Sequence, residues 1–340
     1  MKTILVAGSK HPLYSPKAGR ELARRLGASV VLHPGWRLLT GGAKGLDAEI
    51  GKGGVDYCAA RGARDALADP LRERELVLTL HPREHRNDLF DVGSVMKSRA
   101  KTTLARRFEL VTRADLAFFI EGHGGTAQLI EYFIASGKPV IPIACSGGES
   151  QLAWSPDGYR RELLTLLGIS EGDTVLSLIE NGLGTIDVLC EHCINLASNL
   201  LRPTCFVVMP FSLDHSDRLW TEILKPAIEE AGFVAVRADE IQTAGQILED
   251  ITSSLRDAEI IVGDITGTNP NVLYEIGYAH ALNKRTILLH HVEKDDNWAK
   301  HLPFDIRGMR ILPFDFTNPD AAKSSLALAI KTNVGTHTMT

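Results

Sequence analysis

Short apolar stretches rich in β-branched and aromatic residues recur along this chain, each closed by a glycine or polar turn and followed by residues at helical spacing. Such alternation commits a chain to mostly parallel sheets with helices on both faces. It runs in two separate series. The first opens with Ile4-Leu-Val-Ala-Gly8 and predicts further strands at Ser29-Val-Val-Leu32, Glu75-Leu-Val-Leu-Thr-Leu80, Leu116-Ala-Phe-Phe-Ile120 and Pro139-Val-Ile-Pro-Ile143, with helices over 18–26 and 129–136. The second opens with Thr204-Cys-Phe-Val-Val-Met-Pro210. It predicts helices over 220–231, 245–257 and about 272–282, and strands at Phe233-Val-Ala-Val236, Glu259-Ile-Ile-Val-Gly-Asp264 and Arg285-Thr-Ile-Leu-Leu289. Between them Asn199-Leu-Leu-Arg-Pro203 ends in a proline, which removes a donor and disfavours helix in the residue before it. The expected fold is therefore α/β, with two Rossmann-like modules over residues 1–200 and 204–332, each a mostly parallel sheet flanked by helices. The two show no close residue-level repeat.

A chain of 340 residues is longer than one core usually holds. A net charge of -5 gives no electrostatic reason to expect nucleic acid or an anionic membrane as partner. No apolar run reaches the roughly 20 residues of a spanning helix, and Met1-Lys-Thr-Ile-Leu-Val-Ala-Gly8 reads as a strand rather than an export signal. A cytoplasmic protein is expected. Its five cysteines, odd in number and scattered, read as reduced thiols. Cys190-Glu-His-Cys193 holds half of a structural zinc site, no second pair lies nearby, and both cysteines fall near the apolar stripe of a helical run. His81, His85, His280, His290 and His291 read as ordinary core or surface histidines, and no metal or cofactor is assigned.

Three glycine turns mark the first module: Ala7-Gly-Ser9, Thr40-Gly-Gly-Ala-Lys-Gly45 and Glu121-Gly-His-Gly-Gly-Thr126. Glycine lets backbone amides approach a ligand, and a helix amino terminus carries partial positive charge, so such turns suit a phosphate. One would serve as a mere turn; three make a nucleotide pocket, with Gly8, Ser9, Gly41, Gly42, Gly124, Gly125 and Thr126 as its candidates. Together with Met96-Lys-Ser-Arg99, Ala114-Asp115 before a strand, Glu131, and Gly137-Lys-Pro-Val-Ile-Pro142 followed by Gly147-Gly148, this order resembles the SLOG superfamily. That superfamily unites cytokinin-activating phosphoribohydrolases with DprA-like proteins. The resemblance implies that the glycine-threonine turn binds phosphate and that Arg99 and Glu131 hold the positions of the hydrolases' catalytic arginine and glutamate. Here, however, Glu131 follows Thr126 by five residues where the family usually has three. A helix turns about 100° per residue, so the carboxylate moves to a different azimuth. A sensor of a nucleotide signal therefore stands beside the hydrolase reading.

In the second module, Val262-Gly-Asp-Ile-Thr-Gly-Thr-Asn269 leads from a buried strand through a polar turn into a helix whose first turn is expected to carry Glu275. Ligands of open α/β sheets sit where strand carboxyl ends meet helix starts, so that carboxylate points to chemistry. Phe206-Val-Val-Met-Pro-Phe211, Arg237-Ala-Asp239, Ala258 to Thr266, Asn269-Pro-Asn-Val-Leu-Tyr-Glu-Ile-Gly-Tyr-Ala279 and His301-Leu-Pro-Phe-Asp305 resemble the nucleoside 2-deoxyribosyltransferase family, whose fold is similar to that of TIR domains. The resemblance implies that Glu275 attacks the anomeric carbon of a sugar. Asp264 would assist it, and Met209, Pro210, Phe211, Asp239, Asn269, Asn271 and Tyr274 would form the substrate pocket. Where the transferases often carry an acid six positions before the nucleophile, this chain has Asn269, and an amide cannot act as general acid. Cleavage of NAD, whose nicotinamide leaves from a quaternary nitrogen, thus joins nucleosides and nucleotides as a substrate expectation.

Joined, the halves suggest an N-glycosidase or transferase regulated by a nucleotide signal, an architecture resembling bacterial anti-phage effectors, with a homo-oligomer as the natural way to couple them. The alternatives are a phosphoribohydrolase working through Arg99 and Glu131, and a nucleotide-binding protein without catalysis.

Overall fold

The computed structural model describes residues 1–10, 16–45, 53–84, 88–182, 184–211, 213–238, 247–292, 302–309 and 311–335. They fall into two units, Met1–Leu201 and Arg202–Thr340.

The first unit is built on six parallel strands, β1 (Lys2–Gly8), β2 (Trp36–Thr40), β3 (Val77–His81), β4 (Ser94–Lys97), β5 (Leu116–Ile120) and β6 (Val140–Ile143), in the order β4-β3-β2-β1-β5-β6. Helices on both faces bury β5 completely, which is why it reads as an unbroken apolar run rather than an alternation. Phe118 and Phe119 in that strand, and Phe133 packed edge-on to Phe119, are fully buried. Each such side chain contributes about 1.5–3 kcal/mol of transfer free energy.

One expected strand is helix. Ser29-Val-Val-Leu32 forms the end of the helix Pro16–Leu32, and the strand begins only at Trp36. Leu22, Ala23, Leu26 and Val30 are buried at helical spacing, so packing against the helix Val55–Leu67 overrides the β-propensity of two valines. The edge strand β4 lacks an apolar signature because it alternates half-buried with exposed residues.

The second unit carries five parallel strands, β7 (Thr204–Val208), β8 (Val234–Arg237), β9 (Ile260–Asp264), β10 (Arg285–His291) and β11 (Ile311–Phe314), ordered β11-β10-β9-β7-β8. Its two faces follow the period of two. Cys205, Val207, Ile260 and Val262 pack with Trp220, Ile228 and Ile330, while Phe206, Val208 and Ile261 pack with Leu255, Val272 and Ile276. The helix expected over 220–231 is interrupted by a π turn at Trp220–Leu224, next to Pro226, which lacks the amide needed to continue the ladder.

Both sheets share a topological device. In each, the chain moves outward from its first strand and then returns to that strand's other side, so β1 lies between β2 and β5, and β7 between β8 and β9. The carboxyl ends at such a switch point flank a crevice. A second device recurs at the opposite ends of the strands. Lys138, just before β6, donates to the carbonyls of Val111 and Ala114 at 2.8 and 2.7 Å; Lys284, just before β10, donates to those of Arg256 and, at 2.8 Å, Ala258. Each lysine thereby satisfies carbonyls that a helix end leaves without partners. Among the described residues, no helix is long and apolar enough to cross a membrane.

Candidate functional site

Each switch point holds a cavity. In the first unit it measures about 370 Å³ and lies at the carboxyl ends of β1, β2, β3 and β5. Gly8, Ser9, Gly41, Gly125 and Thr126 line it, as the sequence suggests. Gly42 and Gly124 flank these residues without lining the space, and the Gly42 carbonyl accepts from the Phe90 amide at 3.1 Å. The Gly147-Gly148 turn buttresses the third glycine turn. Gly148 has φ +60°, and a Cβ there would lie 2.6 Å from the Gly122 carbonyl oxygen.

The charged walls were not singled out in the sequence. Arg106 and Arg107 come from the helix Thr103–Arg113, which Thr102 caps by accepting from the Ala105 amide at 3.2 Å. Arg106 ties two strand ends together, donating to the Leu80 carbonyl at 2.8 Å and to that of Gly41. Arg107 donates to Gln128, on the helix Gly124–Ala135 that the third glycine turn opens. Lys10 follows β1 and pairs with Asp88 at 3.5 Å. The signal for the arginines was five basic residues within eleven, Lys97, Arg99, Lys101, Arg106 and Arg107, read only as far as Arg99.

Asp56 faces these cations. Its Oδ2 accepts from the Gly41 amide at 3.0 Å, and the Gly8 amide also donates to it. Burial raises its carboxyl to about 6, against the opposing pull of Arg106, the two amides and Lys10. A Cβ on Gly41 would lie 2.6 Å from that oxygen, so this glycine makes room for a carboxylate of the chain itself. Two of the three glycine turns thus spend an amide on Asp56 rather than keeping it for a ligand. The third remains open: no side chain caps the helix Gly124–Ala135 at His123, and Gly125 and Thr126 line the cavity.

Arg99 and Glu131 do not join this site. Arg99 is exposed beyond β4, and Glu131 is exposed on the helix Gly124–Ala135, where its charge, after burial, raises the hydroxyl pKa of Tyr159. Thr126 and Leu129 on that helix face the cavity. Two residues beyond Leu129 is about 200° of rotation, which takes Glu131 to the other side.

In the second unit the cavity measures about 550 Å³ at the ends of β7 and β9. Met209, Pro210, Phe211, Asn269, Asn271, Tyr274 and Glu275 all line it. Phe211 is held by Arg237, whose guanidinium lies 5.7 Å from the Phe211 ring and 5.2 Å from that of Trp220 and pairs with Asp217 at 3.0 Å. Asn269 caps the helix Pro270–Ala281, its side-chain oxygen accepting from the amides of Asn271 and Val272 at 2.9 and 3.5 Å. Proline as the first helical residue fixes that start, two positions earlier than the apolar spacing predicts.

The earlier start corrects the place of Glu275. It is the sixth residue of the helix, in the second turn, where the helix dipole has largely faded. Half-buried, it makes no hydrogen bond or ion pair among the described residues, and burial alone raises its carboxyl above the ordinary glutamate value.

Asp264 is also corrected. Expected beside Glu275, it is fully buried and does not line the cavity. One oxygen accepts from the Thr266 amide at 3.0 Å and from the Thr266 hydroxyl at 2.5 Å, and that hydroxyl in turn accepts from the His291 amide at 2.9 Å. Asp264 thus pins the turn ahead of Asn269. Asp239, His85 and His301 lie outside the described residues. Cys190 and Cys193 are buried in the core of the first unit.

No protein-family model and no curated protein matches the sequence. Among solved structures, the amino-terminal part is similar to the molybdenum cofactor binding protein from the phototrophic bacterium Rippkaea orientalis, at 20% identity over 59% of this chain and 97% of that one, with a TM-score of 0.37. It is similar also to the molybdenum cofactor carrier protein from Chlamydomonas reinhardtii, at 21% identity over 41% and 75% with a TM-score of 0.31. A third is DNA processing protein A from Helicobacter pylori, at 17% over 41% and 63% with a TM-score of 0.27. At these scores the likenesses carry no argument about ligand or reaction.

Proposed function

We propose that the second unit breaks or exchanges the N-glycosidic bond of a nucleoside, nucleotide or NAD, with Glu275 as nucleophile, and that the first unit binds a nucleotide signal that regulates it, as in an anti-phage effector. The observation that carries the catalytic half is the state of Glu275. It is a carboxylate in an open cavity at a switch point, half-buried and engaged by no other described side chain. A structural carboxylate would normally be paired or hydrogen-bonded; one held ready for an electrophilic carbon is not.

In the proposed reaction a Glu275 oxygen bonds to C1′ as the bond from C1′ to the base nitrogen breaks, and that bond's electron pair leaves with the base. Water or a ring nitrogen of a second base then attacks C1′ and gives up its proton to solvent, while the bond from C1′ to Glu275 breaks and its electron pair returns to the carboxylate. Met209 and Phe211 offer apolar surface to a flat base, and the Asn269 and Asn271 amides and the Tyr274 hydroxyl offer hydrogen bonds to sugar or base. Among the described lining residues there is no second carboxyl to protonate the leaving group. This suits a base that departs neutral without a proton, as nicotinamide does from a quaternary nitrogen. The placement of Arg99 and Glu131 outside the other cavity weighs against the phosphoribohydrolase alternative.

The test is incubation of the full chain with NAD, nucleosides and nucleoside monophosphates, with chromatography for free base. Glu275→Gln should abolish release and Glu131→Gln should leave it intact. Release that depends on an added second nucleotide would support the regulatory half, and binding without any release would leave only a nucleotide-binding protein.

A further inference from the structure

Taking the first unit to be a nucleotide-binding module, as proposed above, we infer that Asp56 reads a ribose hydroxyl, so that its cavity takes a phosphorylated ribonucleoside in preference to the 2′-deoxy counterpart. In open α/β sheets that bind nucleotides, a carboxylate beside the end of the second strand accepts hydrogen bonds from the ribose. Asp56 comes from a helix after that strand, yet its Oδ2 lies 3.0 Å from the amide of Gly41, the first residue past β2. The position is filled by a different segment of chain.

The charges of the cavity give the ligand a direction. An ionised carboxylate only accepts hydrogen bonds, at about four lone-pair sites. The Gly41 and Gly8 amides take two, which leaves capacity towards the cavity that Asp56 lines. A phosphate, itself an acceptor, is repelled there, whereas a sugar hydroxyl is welcome. The opposite wall suits the phosphate: Arg107, His123 and the uncapped start of the helix Gly124–Ala135 gather at the end of β5. Arg106 and Lys10 lie near Asp56 and keep it from repelling the whole ligand. Among the described lining residues Asp56 is the sole carboxylate, so the ligand's donor end has one place to go. A space of about 370 Å³ is within the range for a small ligand.

A site built to hydrogen-bond a hydroxyl discriminates strongly against an analogue lacking it, because its polar group is then left without a partner. The experiment is calorimetric titration of the full chain with the four ribonucleoside 5′-monophosphates and ADP-ribose, and with their 2′-deoxy counterparts. Wild type, Asp56→Asn, Asp56→Glu and Arg107→Ala would be compared. The expected result is a ribonucleotide that binds at least about tenfold more tightly than its deoxy form. In both Asp56 variants that ratio should fall towards one, and in Arg107→Ala both forms should weaken by the same factor. Equal binding of ribo and deoxy forms by the wild type overturns the inference, as does a ratio that survives both Asp56 variants. A ligand whose discrimination follows the base instead of the sugar also overturns it. If no nucleotide binds in a way that Arg107→Ala weakens, the nucleotide reading of the first unit falls, and the inference with it.

Discussion

The cavities of the two units occupy the same place in their sheets and are furnished in opposite ways. In the first, arginines and a lysine surround a carboxylate that two backbone amides already engage. In the second, apolar and amide side chains surround a carboxylate that nothing described engages. Burial raises both carboxyls, but only Asp56 has neighbours that oppose the shift. A carboxylate held among donors is fixed in position and suited to recognition. One held by burial alone keeps its lone pairs for a reacting atom. On the proposed reading, the same fold position serves binding in one unit and chemistry in the other through its lining alone.

The sharpest way to break this contrast is to remove one side chain from each cavity in turn. Glu275→Gln should lower base release by at least about a thousandfold, while the response of the melting temperature to an amino-terminal ligand stays unchanged. Release that persists would return Glu275 to a packing role. Next in size, Arg107→Ala should weaken the phosphorylated ligand by about ten- to a hundredfold in calorimetric titration, the loss expected for a charge-assisted hydrogen bond of about 1.5–3 kcal/mol.

The pH dependence separates the carboxylates further. As the proposed nucleophile Glu275 would have to be ionised, and its carboxyl is raised by burial, so kcat/KM should fall on the acid side through an apparent pKa above the ordinary glutamate range. A limb at or below that range would show that Glu275 is well solvated in the working enzyme. For Asp56 the sign concerns stability. Its carboxyl is raised from 3.8 to about 6, so its contribution is complete below pH 3.8 and is lost as pH rises through about 6. Asp56→Asn keeps an oxygen for the Gly41 amide. It should gain about 1 kcal/mol at pH 8, allowing for the group's contact with solvent, and the gain should shrink towards zero near pH 4 in thermal unfolding. The smallest effect is expected from Arg237→Ala, which frees the Phe211 ring and should raise KM by a few-fold with kcat nearly unchanged.

The α/β architecture was legible because buried strands such as Leu116–Ile120 carry unbroken apolar runs. Much of the second cavity was legible, since Met209 to Phe211 and then Asn269, Asn271, Tyr274 and Glu275 fall in two short stretches after neighbouring strands, whereas Val207, Ala238, Ile251 and Val272 line it with no local signal to mark them. The first was half legible. Its glycines announce themselves locally, but Asp56 reaches Gly41 across fifteen positions, and nothing in the sequence pairs them. Asp264 misled for a related reason: a carboxylate at a strand end looks like a site residue, and only coordinates show it turned to Thr266. The two valines before Leu32 were drawn into helix by neighbours that a local pattern does not contain.

The lysines that clasp helix ends at the base of each sheet, Lys138 and Lys284, lie at the far ends of the strands from the cavities. They anchor a frame on the side where nothing has to be recognised. A substitution in the loops at the other side can therefore reshape either cavity without loosening the strand ends that the lysines hold.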